Sequence, residues 1–254
     1  DYNQAGATIC TDRLSMLASA DVVLRLRKPT IEEVKCLRQG TLHISFLDPF
    51  RETDLLQALA QQGVSTICME MVPRVTRAQK LDALSSQANL AGYVAVILAA
   101  QALNRILPMM TTAAGTLSPA RFFVIGAGVA GLQVIATAKR LGAQVEVYDV
   151  RPAVEEEVAS LGVKFIRLEQ DGNESGKGAY ARQLTSRQLV NQQKEIDKHC
   201  SQADVVVTTA RIFGKKSPLI VTRDMIGKMK KGSVIVDLAV EDGGNVEGSK
   251  LNEV

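Results

Sequence analysis

Cysteine, histidine and excess charge are all scarce in this 254-residue sequence. The four cysteines lie far apart without a C-x-x-C pair, which excludes a zinc ribbon or disulfide framework and favours free thiols in a reducing compartment. The two histidines lie in no ligand-like cluster, so we expect no metal. A net charge of +3, with no basic tract interleaved with aromatics, argues against nucleic acid as a partner. The cysteines are Cys10, Cys36, Cys68 and Cys200.

Long apolar runs are also missing. The longest candidate, residues 94–103, is shorter than the roughly 20 residues that a bilayer-spanning helix needs, and we assign it to an amphipathic helix. The sequence shows no signal peptide at its start, where Asp1 stands in place of an initiator methionine. We therefore expect a chain that is itself soluble.

One stretch, residues 121–151, has the order strand, glycine loop, helix, strand and acid. Gly126, Gly128 and Gly131 form G-x-G-x-x-G after an apolar strand, and Asp149 ends the next strand about 20 residues later. In such a loop the first glycine permits a tight turn, the second lets a pyrophosphate approach, and the third lets helix and strand pack closely. The helix N-terminus supplies free N–H groups and a partial positive charge. This order predicts a dinucleotide-binding Rossmann domain.

The acid at the second strand end favours NAD over NADP. The Asp149 carboxylate would accept hydrogen bonds from both ribose hydroxyls and repel a 2′-phosphate. Arg151 leaves an alternative open, because an arginine two residues further on is placed to receive that phosphate.

Strands alternate with helices before and after this stretch, which predicts an α/β protein with parallel sheets. Thr30 and Glu33 have the spacing of a capping box at the start of one helix. We expect two Rossmann-like domains joined by a long helix at residues 89–106, with the cofactor in the cleft between them. We expect an N-terminal α/β domain with the connecting helix at residues 1–107, incomplete at its start. The NAD-binding Rossmann domain is expected at residues 108–254, incomplete at its end, with residues 111–119 as the linker into it. Strand candidates are residues 7–10, 21–26, 42–46, 65–68, 122–125, 145–148, 164–168, 204–209 and 233–238.

Several longer motifs carry a resemblance to a known family. They are PRVTRAQKLDALSSQANLAGY at residues 73–93, GAGVAGLQ at 126–133, DVRP at 149–152, TTARIFGK at 208–215 and GSVIVDLAVEDGGN at 232–245. With these motifs the chain resembles, over essentially its whole length, the NAD(H)-binding component of proton-translocating NAD(P) transhydrogenase. This component is domain I, or the alpha subunit, in the alanine dehydrogenase/transhydrogenase family.

The resemblance implies a set of site residues. Four match the family's loop beside the nicotinamide and are the expected catalytic residues: Arg74, Gln79, Asp82 and Ser85. The implied cofactor-binding residues are Arg74, Val75, Thr76, Arg77, Gln79, Gly126, Gly128, Val129, Gly131, Asp149, Val150, Arg151, Gly178, Tyr180, Gln192 and Ala210. The chain departs from the family at Ala179, where glycine usually precedes the tyrosine of a mobile loop, and at Arg211 and Phe213 in the adenine wall.

The resemblance also implies a reaction and its partners. A hydride passes directly between NADH and NADP⁺, so the protein needs neither a general acid nor a metal and supplies position and exclusion of water. NADP(H) binds only on a partner domain, and a membrane-spanning component couples the transfer to proton translocation. The implied protein is a homodimer on the cytoplasmic face of a bacterial inner membrane, or on the matrix side in mitochondria. Alone it would transfer no hydride.

Two other functions stay open at this point. An alanine dehydrogenase-like enzyme would share the two-domain plan, but its chemistry needs an acid–base histidine and a substrate-binding lysine. Here His43 is the only plausible histidine, and Arg27 stands at the lysine position. The other alternative is a non-catalytic NAD(H)-binding module.

Overall fold

Two units make up the chain, Asp1–Leu84 and Ser85–Val254. The computed structural model describes residues 1–73, 75–167 and 186–254, with side chains from residue 191 onward in the last range. Each unit has its own sheet and its own buried apolar core.

The first unit is a three-stranded parallel sheet with helices. Its strands run in the order β1-β2-β3, with Val22 opposite Leu42 and Leu42 opposite Ser65. The elements are α1 (Arg13–Ser19), β1 (Val22–Leu24), α2 (Ile31–Cys36), β2 (Leu42–Ser45), α3 (Thr53–Gln61) and β3 (Ser65–Cys68), followed by short 3-10 helices at Met69–Met71 and Thr76–Leu81. Leucine and valine side chains from the helices and strands form the core.

Two sequence predictions for this unit have clear outcomes. The capping box is confirmed, because the Thr30 hydroxyl accepts the Glu33 N–H while the Glu33 carboxylate accepts the Thr30 N–H. The strand predicted at residues 7–10 is wrong. Ile9 is exposed and this segment pairs with none of the described strands, so its short apolar run has no sheet to join.

The second unit contains a five-stranded parallel sheet, a hairpin and five helices among its described residues. Its elements are α4 (Ala83–Ala102), β4 (Met110–Thr112), β5 (Gly115–Leu117), β6 (Arg121–Ile125), α5 (Val129–Arg140), β7 (Gln144–Tyr148), α6 (Glu155–Ser160), β8 (Lys164–Phe165), α7 (Ser186–Gln202), β9 (Val205–Thr208), α8 (Arg223–Lys228) and β10 (Val234–Asp237), with 3-10 helices at Pro152–Val154 and Val240–Asp242. Residues 111–119, predicted as a linker, instead form most of the antiparallel hairpin β4-β5.

The strand order of the large sheet is β10-β9-β6-β7-β8, with every pairing parallel. From β6 the chain proceeds outward to β7 and β8, then returns to the other side of β6 for β9 and β10. Ligands of such sheets bind outside the carboxyl ends of the strands, at the point where the order reverses. That point lies between β6 and β9. The predicted α/β class with parallel sheets is confirmed.

Helix α4 packs against the second unit's core through small residues. Ala95, Val96 and Ala99 are buried in the cluster that also contains Val134 of α5. A Cβ on Gly92 would lie 2.4 Å from the Ala130 carbonyl oxygen, so the two helices meet at backbone distance. By length and composition alone α4 is also apolar enough to cross a membrane, although the sequence suggested no such stretch. A helix that contributes to a core passes the same test.

Candidate nucleotide-binding site

The glycine loop lies at the end of β6, where the strand order reverses. Gly126 has φ +103° and donates its N–H to the Tyr148 carbonyl at 2.8 Å. The turn therefore begins directly at the carboxyl end of β6. A Cβ on Gly131 would lie 1.9 Å from the Gly126 carbonyl oxygen. Only glycine therefore lets α5 start this close to the strand.

The outer side of the same loop is open. A Cβ built on Gly128 would meet no described atom within 4 Å. Gly128 is the N-cap of the twelve-residue helix α5, and no described side chain caps its first turn. The N–H groups of that turn and the helix dipole are thus available to an anionic group. Val129, the first helical residue, is exposed beside them.

The Asp149 carboxylate holds the loop and an arginine together. One of its oxygens accepts the Ala127 N–H at 2.7 Å, although the two residues are 22 positions apart. The other oxygen accepts the Arg151 N–H at 2.8 Å, and the Arg151 guanidinium donates to both oxygens at 3.0 Å. The Asp149 side chain is only 6% exposed, against 39% for Arg151. Hydrogen bonding to Asp149 raises the pKa of Arg151 above its ordinary value.

This pairing bears on the open question of Arg151. The guanidinium is bound in place by the carboxylate, and a 2′-phosphate would have to approach that carboxylate as well. Val150, between the two, is exposed. The arrangement fits a ribose with free hydroxyls better than one that carries a phosphate.

A wall beside the loop comes from the end of β9. The Thr209 hydroxyl donates to the Gly126 carbonyl at 3.0 Å, and a Cβ on Gly126 would lie 2.5 Å from that hydroxyl oxygen. The half-buried Ala210 follows directly. Ala210 is among the residues predicted from the sequence, whereas Thr209 is not. Thr209 lies inside the motif at residues 208–215, but its contact is 83 positions away in the chain.

Gln192 of α7 lies near the end of β7. Burial raises the pKa of the Tyr148 phenol above its ordinary value, and interaction with Gln192 partly opposes that rise. Tyr148 immediately precedes Asp149. Gln192 is therefore near the Tyr148 phenol.

The remaining predicted residues belong to the first unit, to the start of the second, or to the residues that the structure does not describe. In the first unit Val75 is exposed, and Thr76, Arg77 and Gln79 lie exposed on the 3-10 helix Thr76–Leu81. Asp82 follows that helix, and Ser85 begins the second unit; both are half-buried. Arg74, Gly178 and Tyr180 lie outside the described residues.

The second unit thus brings one group of the predicted residues to the carboxyl ends of β6, β7 and β9, while Gln192 lies on α7: Gly126, Gly128, Val129, Gly131, Asp149, Val150, Arg151 and Ala210. Asp82 and the described residues of the predicted nicotinamide loop belong to the first unit, and Ser85 to the second. Among the described residues no group of three or more His, Cys, Asp or Glu side chains is arranged to hold a metal ion.

Comparison with known families settles the ancestry of the chain. Residues 1–91 match the N-terminal domain model, and residues 95–254 the C-terminal domain model, described as alanine dehydrogenase/PNT. The chain belongs to the alanine dehydrogenase/PNT family. The resemblance inferred from the motifs is thereby confirmed.

Within the alanine dehydrogenase/PNT family the chain is similar to transhydrogenase subunits. It is 44% identical to an NAD(P) transhydrogenase subunit alpha protein of Rhodospirillum rubrum over 98% of this chain and 67% of the relative. The solved transhydrogenase structure from Sinorhizobium meliloti has 47% identity and a TM-score of 0.85, covering 100% of this chain and 68% of that one. An L-alanine dehydrogenase structure shares the fold, with a TM-score of 0.77 at 23% identity, over 99% of this chain and 64% of that one.

Proposed function

We propose that the chain binds NAD(H) and is the NAD(H)-binding component of a transhydrogenase. The observation that carries this proposal is the Asp149–Ala127 hydrogen bond of 2.7 Å. It sets the carboxylate to which we assign ribose binding directly against a glycine loop whose outer side is open at Gly128. Family membership and similarity to transhydrogenase subunits support the same proposal.

The described residues fit a dinucleotide in three ways. The N–H groups at the start of α5 would bind the pyrophosphate, helped by the helix dipole. The Asp149 carboxylate would accept the ribose hydroxyls, with the Arg151 guanidinium holding it in place. Ala210 would face the bound nucleotide from the end of β9. When bound, NADH supplies the hydride.

The residues of the first unit would handle the nicotinamide end. We propose that Gln79 and Arg74 hold the carboxamide or fix the ring face, with Asp82 and Ser85 positioning the arginine or the ring. Val75, Thr76 and Arg77 would line the same cofactor-binding stretch, and Gly178 and Tyr180 would belong to the loop that closes over it. Since a hydride passes directly between two nicotinamides, these side chains orient and exclude water rather than exchange protons.

The acceptor and the coupling belong to other components in this proposal. NADP(H) would bind on a partner domain or subunit, and a membrane-spanning component would couple transfer to proton movement. The chain would act as a homodimer at the membrane surface on the cytoplasmic or matrix side. It would transfer no hydride to NADP⁺ by itself.

The alanine dehydrogenase alternative finds less support in the first unit. His43 is only 1% exposed within β2, and burial lowers its pKa, as does the Arg25 charge to a lesser extent. A neutral core histidine is poorly placed to exchange protons with a substrate. Arg27 is exposed, and a guanidinium does not replace a lysine ammonium in amino-acid chemistry.

One set of assays separates the three functions. The chain is titrated with NADH and with NADPH, then mixed with the NADP(H)-binding component and assayed for hydride transfer from NADH to an NADP⁺ analogue. Tighter binding of NADH, with transfer only in the mixture, supports the proposal. Pyruvate- and ammonia-dependent NADH oxidation by the chain alone would replace it with the dehydrogenase. NADH binding without transfer in the mixture would leave a binding module, and no NADH binding would refute all three.

A further inference from the structure

A buried asparagine, Asn245, hydrogen-bonds the backbone of Ala210 in the wall of the candidate nucleotide site. Asn245 is 0% exposed. Its side-chain oxygen accepts the Ala210 N–H at 3.0 Å, and its side-chain nitrogen donates to the Ala210 carbonyl at 2.9 Å and to the Pro218 carbonyl at 2.8 Å. Both backbone groups of one residue are thus bound by a single amide.

Ala210 needs such a partner because it lies beyond the sheet. β9 ends at Thr208 and pairs with β6 and β10 up to that residue. Backbone groups past a strand end lose their ladder partners and must be satisfied in another way. The Asn245 amide, with one acceptor and two donors, supplies what a neighbouring strand would have supplied.

Asp237, at the end of β10, fixes Asn245 in turn. One oxygen of its carboxylate accepts the Asn245 N–H at 2.9 Å and the Ser249 hydroxyl at 2.9 Å. The other oxygen accepts the Thr208 hydroxyl at 3.0 Å. The carboxylate therefore joins the end of β9 to the turn that carries Asn245. This turn passes through Gly243 and Gly244, with φ of +100° and +78°.

The segment that Asn245 holds is in contact with the glycine loop. A Cβ on Gly126 would lie 3.3 Å from the Ala210 nitrogen and 2.5 Å from the Thr209 hydroxyl oxygen. At this spacing, a shift of Ala210 would change the position of the wall relative to the glycine loop. Of the two wall residues, Thr209 is held by β6 through its N–H bond to the Ile125 carbonyl at 2.8 Å, whereas Ala210 is held by Asn245.

We propose that Asn245 is a positioning residue for NAD(H) binding, acting through Ala210 and supported by Asp237. The inference rests on the proposed function, since it assigns Asn245 to the same nucleotide site. Removing the side chain leaves both Ala210 backbone groups without this partner. NADH affinity should then fall about fivefold, because a displaced wall fits the nucleotide less well.

The test compares three variants of the full chain. Asn245→Ala removes every side-chain bond, whereas Asn245→Asp keeps the shape and one acceptor but sets a carboxylate against the Ala210 and Pro218 carbonyls. Ser249→Ala is the matched control, because it removes a bond to the same Asp237 without touching Ala210. NADH affinity is measured by titration, and amide hydrogen exchange is followed at Ala210 and in β9.

The expected result has two parts. Both Asn245 variants lose NADH affinity and show faster exchange at Ala210, while exchange at Val206 and Val207 stays slow; Ser249→Ala resembles the wild type in each. The proposal is overturned if the Asn245 variants fold and bind NADH as tightly as the wild type, or if neither folds, since Asn245 then serves the fold alone. A wild-type chain that does not bind NADH refutes the proposed function instead.

Discussion

The Asp149 carboxylate accepts the Ala127 N–H at 2.7 Å, so the acid at the end of β7 is bonded to the middle of the glycine loop. The two halves of the candidate site, which we propose bind ribose and pyrophosphate, are therefore linked by this hydrogen bond. A substitution at Asp149 should consequently affect both the glycine loop and the end of β7.

Asp149→Asn should weaken NADH binding by about tenfold, because it removes the charge-assisted bonds from Arg151 and replaces one of the two acceptor oxygens with an NH₂ donor. It should also reduce the preference for NADH over NADPH, since the charge that repels a 2′-phosphate is gone. Titration with both nucleotides measures the two effects. Asp224→Asn, the same change at an exposed acid of the second unit, is the control. Unchanged discrimination in Asp149→Asn would contradict the assigned role.

Substitutions at two glycines of the loop should have different effects, one on stability and the other on NADH binding. Gly131→Ala places a methyl group 1.9 Å from the Gly126 carbonyl and should cost about 1–3 kcal/mol of unfolding free energy. Gly128→Ala meets no described atom within 4 Å and should change stability by about 0.5 kcal/mol or less, yet lower NADH affinity. Urea unfolding and NADH titration of both variants test the contrast. Equal NADH affinity for Gly128→Ala and the wild type would remove the pyrophosphate from this loop.

Gln79→Asn should lower the rate of hydride transfer about tenfold with less effect on NADH affinity, because a shorter side chain misplaces the ring rather than releasing the nucleotide. The assay uses the chain mixed with its NADP(H)-binding component. Gln87→Asn makes the same change on an exposed turn of α4 and should have no effect. A wild-type rate in Gln79→Asn would exclude Gln79 from the site.

Glu33 should make the first unit sensitive to acid. Burial works to raise its pKa, but hydrogen bonds from the Thr30 N–H, Arg25 and Arg13 outweigh it and lower the pKa from 4.5 to about 2. A carboxylate whose folded pKa is depressed stabilises the fold above its unfolded pKa, and this stabilisation is lost as the pH falls through the folded value. Unfolding free energy should therefore drop between about pH 4.5 and 2.

The comparison for this prediction is Glu33→Gln against Glu32→Gln. Glu33→Gln should cost about 1–2 kcal/mol near neutral pH and flatten the acid dependence. Glu32, 80% exposed and paired only with Lys35 in the described residues, should behave as the wild type when replaced by Gln. Identical pH profiles for the two variants would show that Glu33 does not carry the effect.

Local patterns in the sequence account for much of the fold. The strand–glycine–helix order at Gly126 and the capping box at Thr30 depend on neighbours a few residues apart, and both formed as predicted. The hairpin at residues 110–117 did not show in the same way, because strands of three residues are too short for an alternating pattern and its threonines, alanines and glycine are typical of a linker.

The candidate site was only partly visible in the sequence. An acid at a strand end predicts a ribose contact, but nothing near Asp149 in the chain indicates that its partner is Ala127. Asn245 lies 35 residues from Ala210, at the end of the motif at residues 232–245, and nothing in that motif indicates Ala210 as its partner. Contacts of this kind depend on the order of the strands in the sheet, which cannot be read from a single sequence.

The backbone-distance crossing of Gly92 over Ala130 has a practical consequence for dissecting the chain. A fragment starting at residue 108 would lack α4, which packs against α5. Val134 and Ala138 of α5 would then lose apolar contacts that bury them in the intact chain. A fragment that begins before α4 would keep the contact between α4 and α5. A fragment designed to express the second unit alone should therefore include α4.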